Sequence, residues 1–325
     1  MSDRWNAIFQ NCWYVGNNFN CILYGAELVM YFETIVLIQN TRKRQHDAGA
    51  QAHDHRLFIF LSTGLLCLIT VYLFAQNFFG EEMWIVHAGY PGGSGQYYAD
   101  NAAVWYQTMG SAASVVLNWM SDAFLIYRVY ILWEQNLYVI IVPSILYLGT
   151  VVLGIMTCYY SGRPGGDFFV GIAPRIALTY STVGIAMNVL CSSLICGYII
   201  SQTTTSGNSS DGAPRLNRGA RNAINVVVES MLPYTLFGVA YVTLLGLDSP
   251  VAILFLSLYV MFTCLSPQMI MLRVLLGRGW KNDRLAQSGD TGLVQDGPRY
   301  SVGQRYSVGP PYSVGWRSSV ATSEL

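Results

Sequence analysis

Charge is what this sequence lacks. Only 11% of its 325 residues are Asp, Glu, Lys or Arg, against about 25% in soluble domains, so the two soluble domains that the length would allow are excluded. Lysine is nearly absent: Lys43 and Lys281 are the only two, both outside the long apolar runs, which excludes a retinal Schiff base in a last helix. The four histidines, His46, His53, His55 and His87, also fall between those runs. The several membrane-depth histidines of a seven-helix metal hydrolase are therefore missing, and HDAGAQAHDH (His46–His55) reads as a solvated, pH-sensitive loop. There is no CxxC pair, no GxGxxG, no GxxxxGK[ST] and no GxSxG with partners, which removes the usual redox, nucleotide and hydrolase signatures. The reading is of a chain that is not an enzyme, with no catalytic residues, no metal and no cofactor. A net charge of zero makes no case for nucleic acid.

What is abundant is apolar surface, at 53% of residues. Seven runs reach the length that crosses a hydrocarbon core: Phe19–Ile38, Leu57–Phe79, Ala103–Tyr127, Leu137–Tyr159, Pro174–Ile200, Ala223–Leu247 and Val251–Leu272. Backbone groups in lipid must be satisfied within the segment, and runs this long with weak alternation do not resemble barrel strands. The fold class is all-α, a polytopic membrane protein with a receptor-like bundle of seven transmembrane helices. The first 17 residues carry one Arg and one Asp, so the first run reads as an anchor and not as a cleavable signal. Most of the seven cysteines lie inside apolar runs, where a thiol serves as a small buried hydrophobe.

Cations set the orientation. Fifteen of the 18 fall in the segments after the first, third and fifth runs and in the tail, and three (Arg4, Arg163 and Arg175) fall on the opposite side. This puts the N-terminus outside and the C-terminus in the cytoplasm, and the expected address is the plasma membrane. Residues 1–18 are then a short extracellular segment, 19–272 the bundle, 273–285 a basic amphipathic juxtamembrane segment, and 286–325 a disordered cytoplasmic tail. The tail repeats PRYSVG, QRYSVG and PPYSVG (Pro298–Gly315), a tether with Tyr-Ser pairs. The one sequon, Asn208-Ser209-Ser210, lies on the cytoplasmic side and is expected to stay unmodified. Gly80–Ala102 has no Lys or Arg and reads as an outer loop, with its aromatics and Trp13, Tyr14, Trp105, Tyr106, Tyr159 and Tyr160 forming an interfacial belt.

The third run organises the rest. At about 100° per residue, Gln107, Ser111, Ser114, Asn118 and Asp122 fall within an arc of roughly 80° and extend about 22 Å along the axis, most of a core about 30 Å thick. A polar line that long must face protein. Ser181, Gly184, Asn188 and Ser192 in the fifth run, and Asn222, Asn225, Glu229 and Pro233 in the sixth, line up in the same way. Gln107, Ser111 and Ser114 are the candidate ligand pocket.

Intramembrane charges mark functional sites by default. Glu33, Asp122 and Glu229 each lie about 7–9 Å in from the cytoplasmic end of their runs, above Arg128 and Arg273, and Glu27 sits higher in the first run. The expectation is a network of Glu33, Asn118, Asp122, Arg128, Glu229 and Arg273 in one inner layer, beside bends at Pro233 and Pro267.

SDAFLIYRVYILW (Ser121–Trp133), ESMLPYTLFG (Glu229–Gly238) and CLSPQMIMLRVLLGRGW (Cys264–Trp280) together resemble a family of seven-helix membrane proteins found in many copies in mushroom-forming fungi. The resemblance covers roughly residues 18 to 281; it implies the architecture and implies no activity. A looser similarity is to G-protein-coupled receptors: Tyr127-Arg128-Val129-Tyr130 is similar to their Asp-Arg-Tyr, and Ser266-Pro267 stands where their last helix has Asn-Pro. No acid precedes Arg128 and no Cys begins the third run, so neither the ionic lock nor the receptor disulfide carries over. Three functions follow as expectations: a receptor-like protein that senses a small-molecule ligand and engages a cytoplasmic signalling protein, a proton-linked transporter or channel using Glu27, Glu33, Asp122 and Glu229, and a non-signalling scaffold. All three have the lipid bilayer as partner.

Overall fold

Hydrocarbon offers no partner to a backbone N–H or C=O, and a helix is the form in which an apolar run closes its own hydrogen bonds. The computed structural model describes residues 3–47, 56–133, 136–162, 172–205 and 218–290, and among them every regular element is helical. In chain order these are α1 (Asp3–Asp47), α2 (Arg56–Glu81) with a π-helical extension (Glu82–Val86), α3 (Gly93–Asn101), α4 (Trp105–Leu132), α5 (Leu137–Ser161), α6 (Ala173–Thr205), α7 (Arg218–Gly246) and α8 (Ala252–Asp290). All but α3 hold a stretch long and apolar enough to cross a membrane, seven spans in all. The chain is a multi-pass membrane protein.

Two units are distinguished, Met1–Lys281 and Asn282–Leu325. The first holds the seven spans; of the second, only the helical backbone through Asp290 is described. The YSVG repeats, the sequon at Asn208, Arg163 and most of the histidine segment lie outside the described residues, as do the side chains of Asn222 and of the basic segment from Gly277 onward.

Six of the seven spans begin and end close to the sequence reading, and the first does not. Helix α1 begins at Asp3, not Phe19, and continues for 45 residues, about 67 Å at the helical rise. Phe9 and Trp13, one turn apart on one face, are buried against Phe79, Met83, Tyr97 and Tyr98, so the segment read as an extracellular N-terminus is the anchored start of the first helix. The supposed outer loop is likewise structured. Gly92 and Gly93, at φ +88° and +79°, supply the left-handed turn that β-carbon-bearing residues avoid, and α3 follows with Tyr97 and Tyr98 turned into the core. Trp13, 4% exposed, therefore belongs to this core and not to the belt, whereas Trp105, Tyr14 and Tyr159 are exposed as a belt requires.

Helix α4 packs on α2, α5 and α6, α6 packs on α7, and α1 packs on α2 and α3. The most enclosed span is nevertheless the last: 67% of its apolar window is buried, against 44% for α4 and 17% for α1 and α5. The bundle has two central helices, where the sequence pointed to one. Close approach comes from glycine. A β-carbon on Gly110 would stand 2.7 Å from Ala75 Cβ, and one on Gly238 2.8 Å from Ile185 Cδ1 and 3.0 Å from Tyr259, the small-residue contacts by which membrane helices associate. The helices run on through Pro143, Pro233 and Pro267.

Candidate functional site

The polar line of α4 is turned inward. Gln107, Asn118 and Asp122 are 6%, 5% and 1% exposed, and Ser111 and Ser114 are half-buried. Gln107, Ser111, Ser114 and Asn118 line a cavity of about 110 Å³. The other walls come from α2 (Tyr72, Gln76), α5 (Thr157, Cys158), α6 (Tyr180, Ser181), α7 (Tyr241) and α8 (Tyr259, Thr263), with Trp13 and Asn17 of α1 and Tyr98 of α3. Tyrosine and tryptophan rings alternate with amides and hydroxyls around it, and no Asp, Glu, Lys, Arg or His is in the lining.

The inner end is a convergence of polar atoms around a glycine. Asn118 Nδ2 donates to Asp122 Oδ2 at 3.4 Å, and the Tyr234 and Tyr259 hydroxyls are 2.9 Å apart. A β-carbon on Gly184 would lie 3.5–3.6 Å from Tyr259 Oη, Asn118 Nδ2 and Tyr234 Oη. Three helices thus bring their hydroxyls and amide to the surface left bare by α6. With its nitrogen committed to Asp122, Asn118 presents its carbonyl, and Asn118 Oδ1 and Gln107 Oε1 have no hydrogen-bond partner among the described residues. Buried polar atoms are otherwise nearly always paired.

The expected inner layer does not form as one network. Arg273 and Glu229 are brought together, with Arg273 Nη1 donating to Glu229 Oε2 at 2.7 Å, but on the outside of the bundle, where the Glu229 side chain is 68% exposed. Arg128 lies over the Phe124 ring, 4.6 Å from its centroid. Glu33 is exposed, because it stands about 120° around α1 from Glu27 at 100° per residue, and only Glu27 faces the bundle. Asp122 is alone among the expected charged members in being interior. Glu27 is fully buried beside the Cys264 thiol, and neither carboxyl oxygen has a hydrogen bond of ordinary geometry.

A second buried polar cluster escaped the sequence reading. Gln268 Nε2 donates to Ser62 Oγ at 2.7 Å and reaches Thr34 Oγ1 at 3.4 Å, joining α8, α2 and α1 immediately after Pro267. The signal was present: Gln268 is the one amide in the last apolar run. The buried tyrosines were missed for the opposite reason, since Tyr234, bonded to Tyr259, and Tyr241, which lines the cavity, share a face of α7 but tyrosine in a membrane run reads as an interfacial residue.

At the α3 end the cap is fastened by polar contacts. Asn6 Nδ2 donates to the Gly92 carbonyl at 2.9 Å, and Tyr90 and Gln96 both donate to Asp100 at 2.9 Å. The ring of His87 stacks on Tyr97 at 5.0 Å and lies 3.3 Å from Glu82 Oε2. Burial, then the nearby Tyr106 and Glu82, push the Tyr97 hydroxyl up to about 12, and the hydrogen bond to Asp100 raises Tyr90.

Comparison with protein-family profiles, with curated proteins and with solved structures finds no match to this chain.

Proposed function

We propose that this is a receptor-like seven-helix protein of the plasma membrane, with its N-terminus outside, in which a small molecule bound in the α4–α6–α7–α8 cavity biases bending of α7 and α8 at Pro233 and Pro267. A cytoplasmic signalling protein reads the change at the Arg128 and Arg273 end, and the chain belongs with the seven-helix proteins of mushroom-forming fungi that its three sequence blocks resemble. The observation that carries this reading is the cavity itself: the two helices that hold the prolines form part of its wall, and buried carbonyls that lack partners line it. Such a concave site with a few convergent polar groups is the default place for a ligand. The scaffold reading gives no account of it.

Proton-linked transport is the second reading, favoured by the burial of Glu27 and Asp122. A four-carboxyl relay has little support, since Glu33 and Glu229 are exposed, and a proton would have to pass between α1 and α4 without them. Reconstitution in proteoliposomes separates the two. Receptor function gives agonist-dependent nucleotide release from an added G protein and no proton flux reported by internal pyranine. Proton flux that Asp122→Asn abolishes would overturn it in favour of transport.

A further inference from the structure

The chemistry of the cavity wall restricts what it admits. Nothing in the lining carries charge, so neither a cation nor an anion finds a counter-ion in contact, and either would be desolvated without charge compensation. Asp122 stands one turn below Asn118 and is already engaged by the Asn118 amide. The buried polar atoms of the wall left without a hydrogen bond among the described residues are two carbonyl oxygens that only accept, Gln107 Oε1 and Asn118 Oδ1, and two groups with a proton to give, the Tyr180 hydroxyl and Trp13 Nε1, a set that a hydroxyl, which both donates and accepts, satisfies. Six aromatic rings, Trp13, Tyr72, Tyr98, Tyr180, Tyr241 and Tyr259, make up much of the remaining wall.

From this wall we infer that the cavity takes an uncharged, compact molecule with an apolar or aromatic body and one hydroxyl that donates to Asn118 Oδ1. This rests on the reading of the cavity as a ligand site and adds the ligand's class. The size agrees: about 110 Å³ is of the order of the roughly 150 Å³ of an engineered apolar cavity that holds benzene, so the occupant is of the size class of a single substituted ring. Asn118 is the better-equipped end. Gly184 leaves space there, and the Tyr259 ring and the bonded Tyr234 and Tyr259 hydroxyls stand around it. A molecule that fills this space without a donor leaves a buried carbonyl unpaired, which costs about tenfold in affinity.

The test uses the full chain in lipid nanodiscs and four probes of one size class: phenol, anisole, phenyltrimethylammonium and benzoate. Binding is read as ligand-observed saturation-transfer NMR, taken as the difference between the natural chain and Gly184→Val in identical discs, so that partition into lipid cancels. The valine methyls crowd Asn118 and Tyr259, which line the cavity. Gly184→Ala, whose added carbon meets only ordinary contacts at 3.5–3.6 Å, serves as a variant that folds. Phenol is expected to bind, anisole to bind at least about tenfold more weakly, the two ions to give no difference signal, and phenol to weaken in Gly184→Ala and vanish in Gly184→Val. Anisole equal to phenol, or either ion binding more tightly, overturns the ligand class and leaves the cavity as a ligand site. Four silent probes, or phenol binding indifferent to both variants, overturns the class and the ligand site together. Phenol binding as described, with no agonist activity of phenol-class molecules toward a G protein, sinks the receptor reading alone.

Discussion

Helices α4 and α7 carry similar polar lines and use them in opposite ways. Asn225 and Glu229 of α7 are exposed, while Asn118 and Asp122 of α4 are at the centre. Helical period tells which residues share a face; it does not tell which way the face looks. What separates the two is length. The α4 line runs about 22 Å and has nowhere to go in lipid, whereas the α7 line occupies the first turns from Ala223, where Glu229 finds Arg273 at the bundle surface. The buried face of α7 is the other one, with Val227, Met231, Tyr234, Tyr241 and Leu245 repeating at helical spacing.

The sharpest way to break this comparison is by reactivity. In a chain cleared of its seven cysteines, Asn225→Cys and Glu229→Cys are expected to react fully with a membrane-impermeant maleimide, and Ser114→Cys and Asn118→Cys to remain unlabelled until the protein is denatured. Labelling of the α7 pair only in inside-out vesicles would also support the proposed cytoplasmic side. Equal labelling on both helices would undo the distinction. Next in size is packing. Gly238→Val forces a branched side chain against Ile185 and Tyr259, and overpacking of this kind costs about 1–3 kcal/mol, read as a lowered midpoint in mixed-micelle denaturation. Gly149→Ala on the open face of α5, with nothing within 4 Å, is expected to stabilise instead, by about 0.5–1 kcal/mol.

Hydrogen bonding sharpens the contrast further. Gln268→Leu removes the links from α8 to Ser62 and Thr34, and interhelical bonds in membranes average about 0.6 and reach about 1.7 kcal/mol each, so a loss of about 1–2 kcal/mol is expected in the same denaturation assay. Glu229→Gln, at an exposed pair, is expected to leave the midpoint where it was. A larger loss from Glu229→Gln than from Gln268→Leu would mean that the α7 acid, not the buried amide, holds the helices together.

The spans and the inward face of α4 were legible because a long apolar run and a long polar line each admit one arrangement in a bilayer. Three things were not. The start of α1 was hidden because Trp5, Phe9 and Trp13 are separated by Asn and Gln residues, and the face they share is covered by α3 and the end of α2, which the run itself does not name. The position of α8 was hidden because burial depends on neighbours that a single run does not name. The inner layer was misplaced because depth, which sequence gives, was used in place of direction, which it does not: Glu33, Asp122 and Glu229 are at similar depth and point to three different surroundings.

The smallest effect concerns the cap, where a polar residue is buried outside the spans. Tyr97 keeps its proton to about 12, while in the unfolded chain a tyrosine loses it near 10. Between those values the folded state holds more protons than the unfolded one, so stability falls as pH rises through that window and is constant below it. Because Tyr97 packs on Phe79 and under His87, the loss is expected first as undocking of α3, with the helices of the bundle intact. Hydrogen exchange of Gly93–Asn101 is the measure: slow and unchanged up to about pH 10 after correction for intrinsic base catalysis, then faster, with Tyr97→Phe abolishing the added pH dependence. Acceleration that persists in Tyr97→Phe would assign the titration to Tyr90, whose hydroxyl is bonded to Asp100 at the surface, and would mean that the cap is held by its outer polar contacts more than by the aromatic core beneath it.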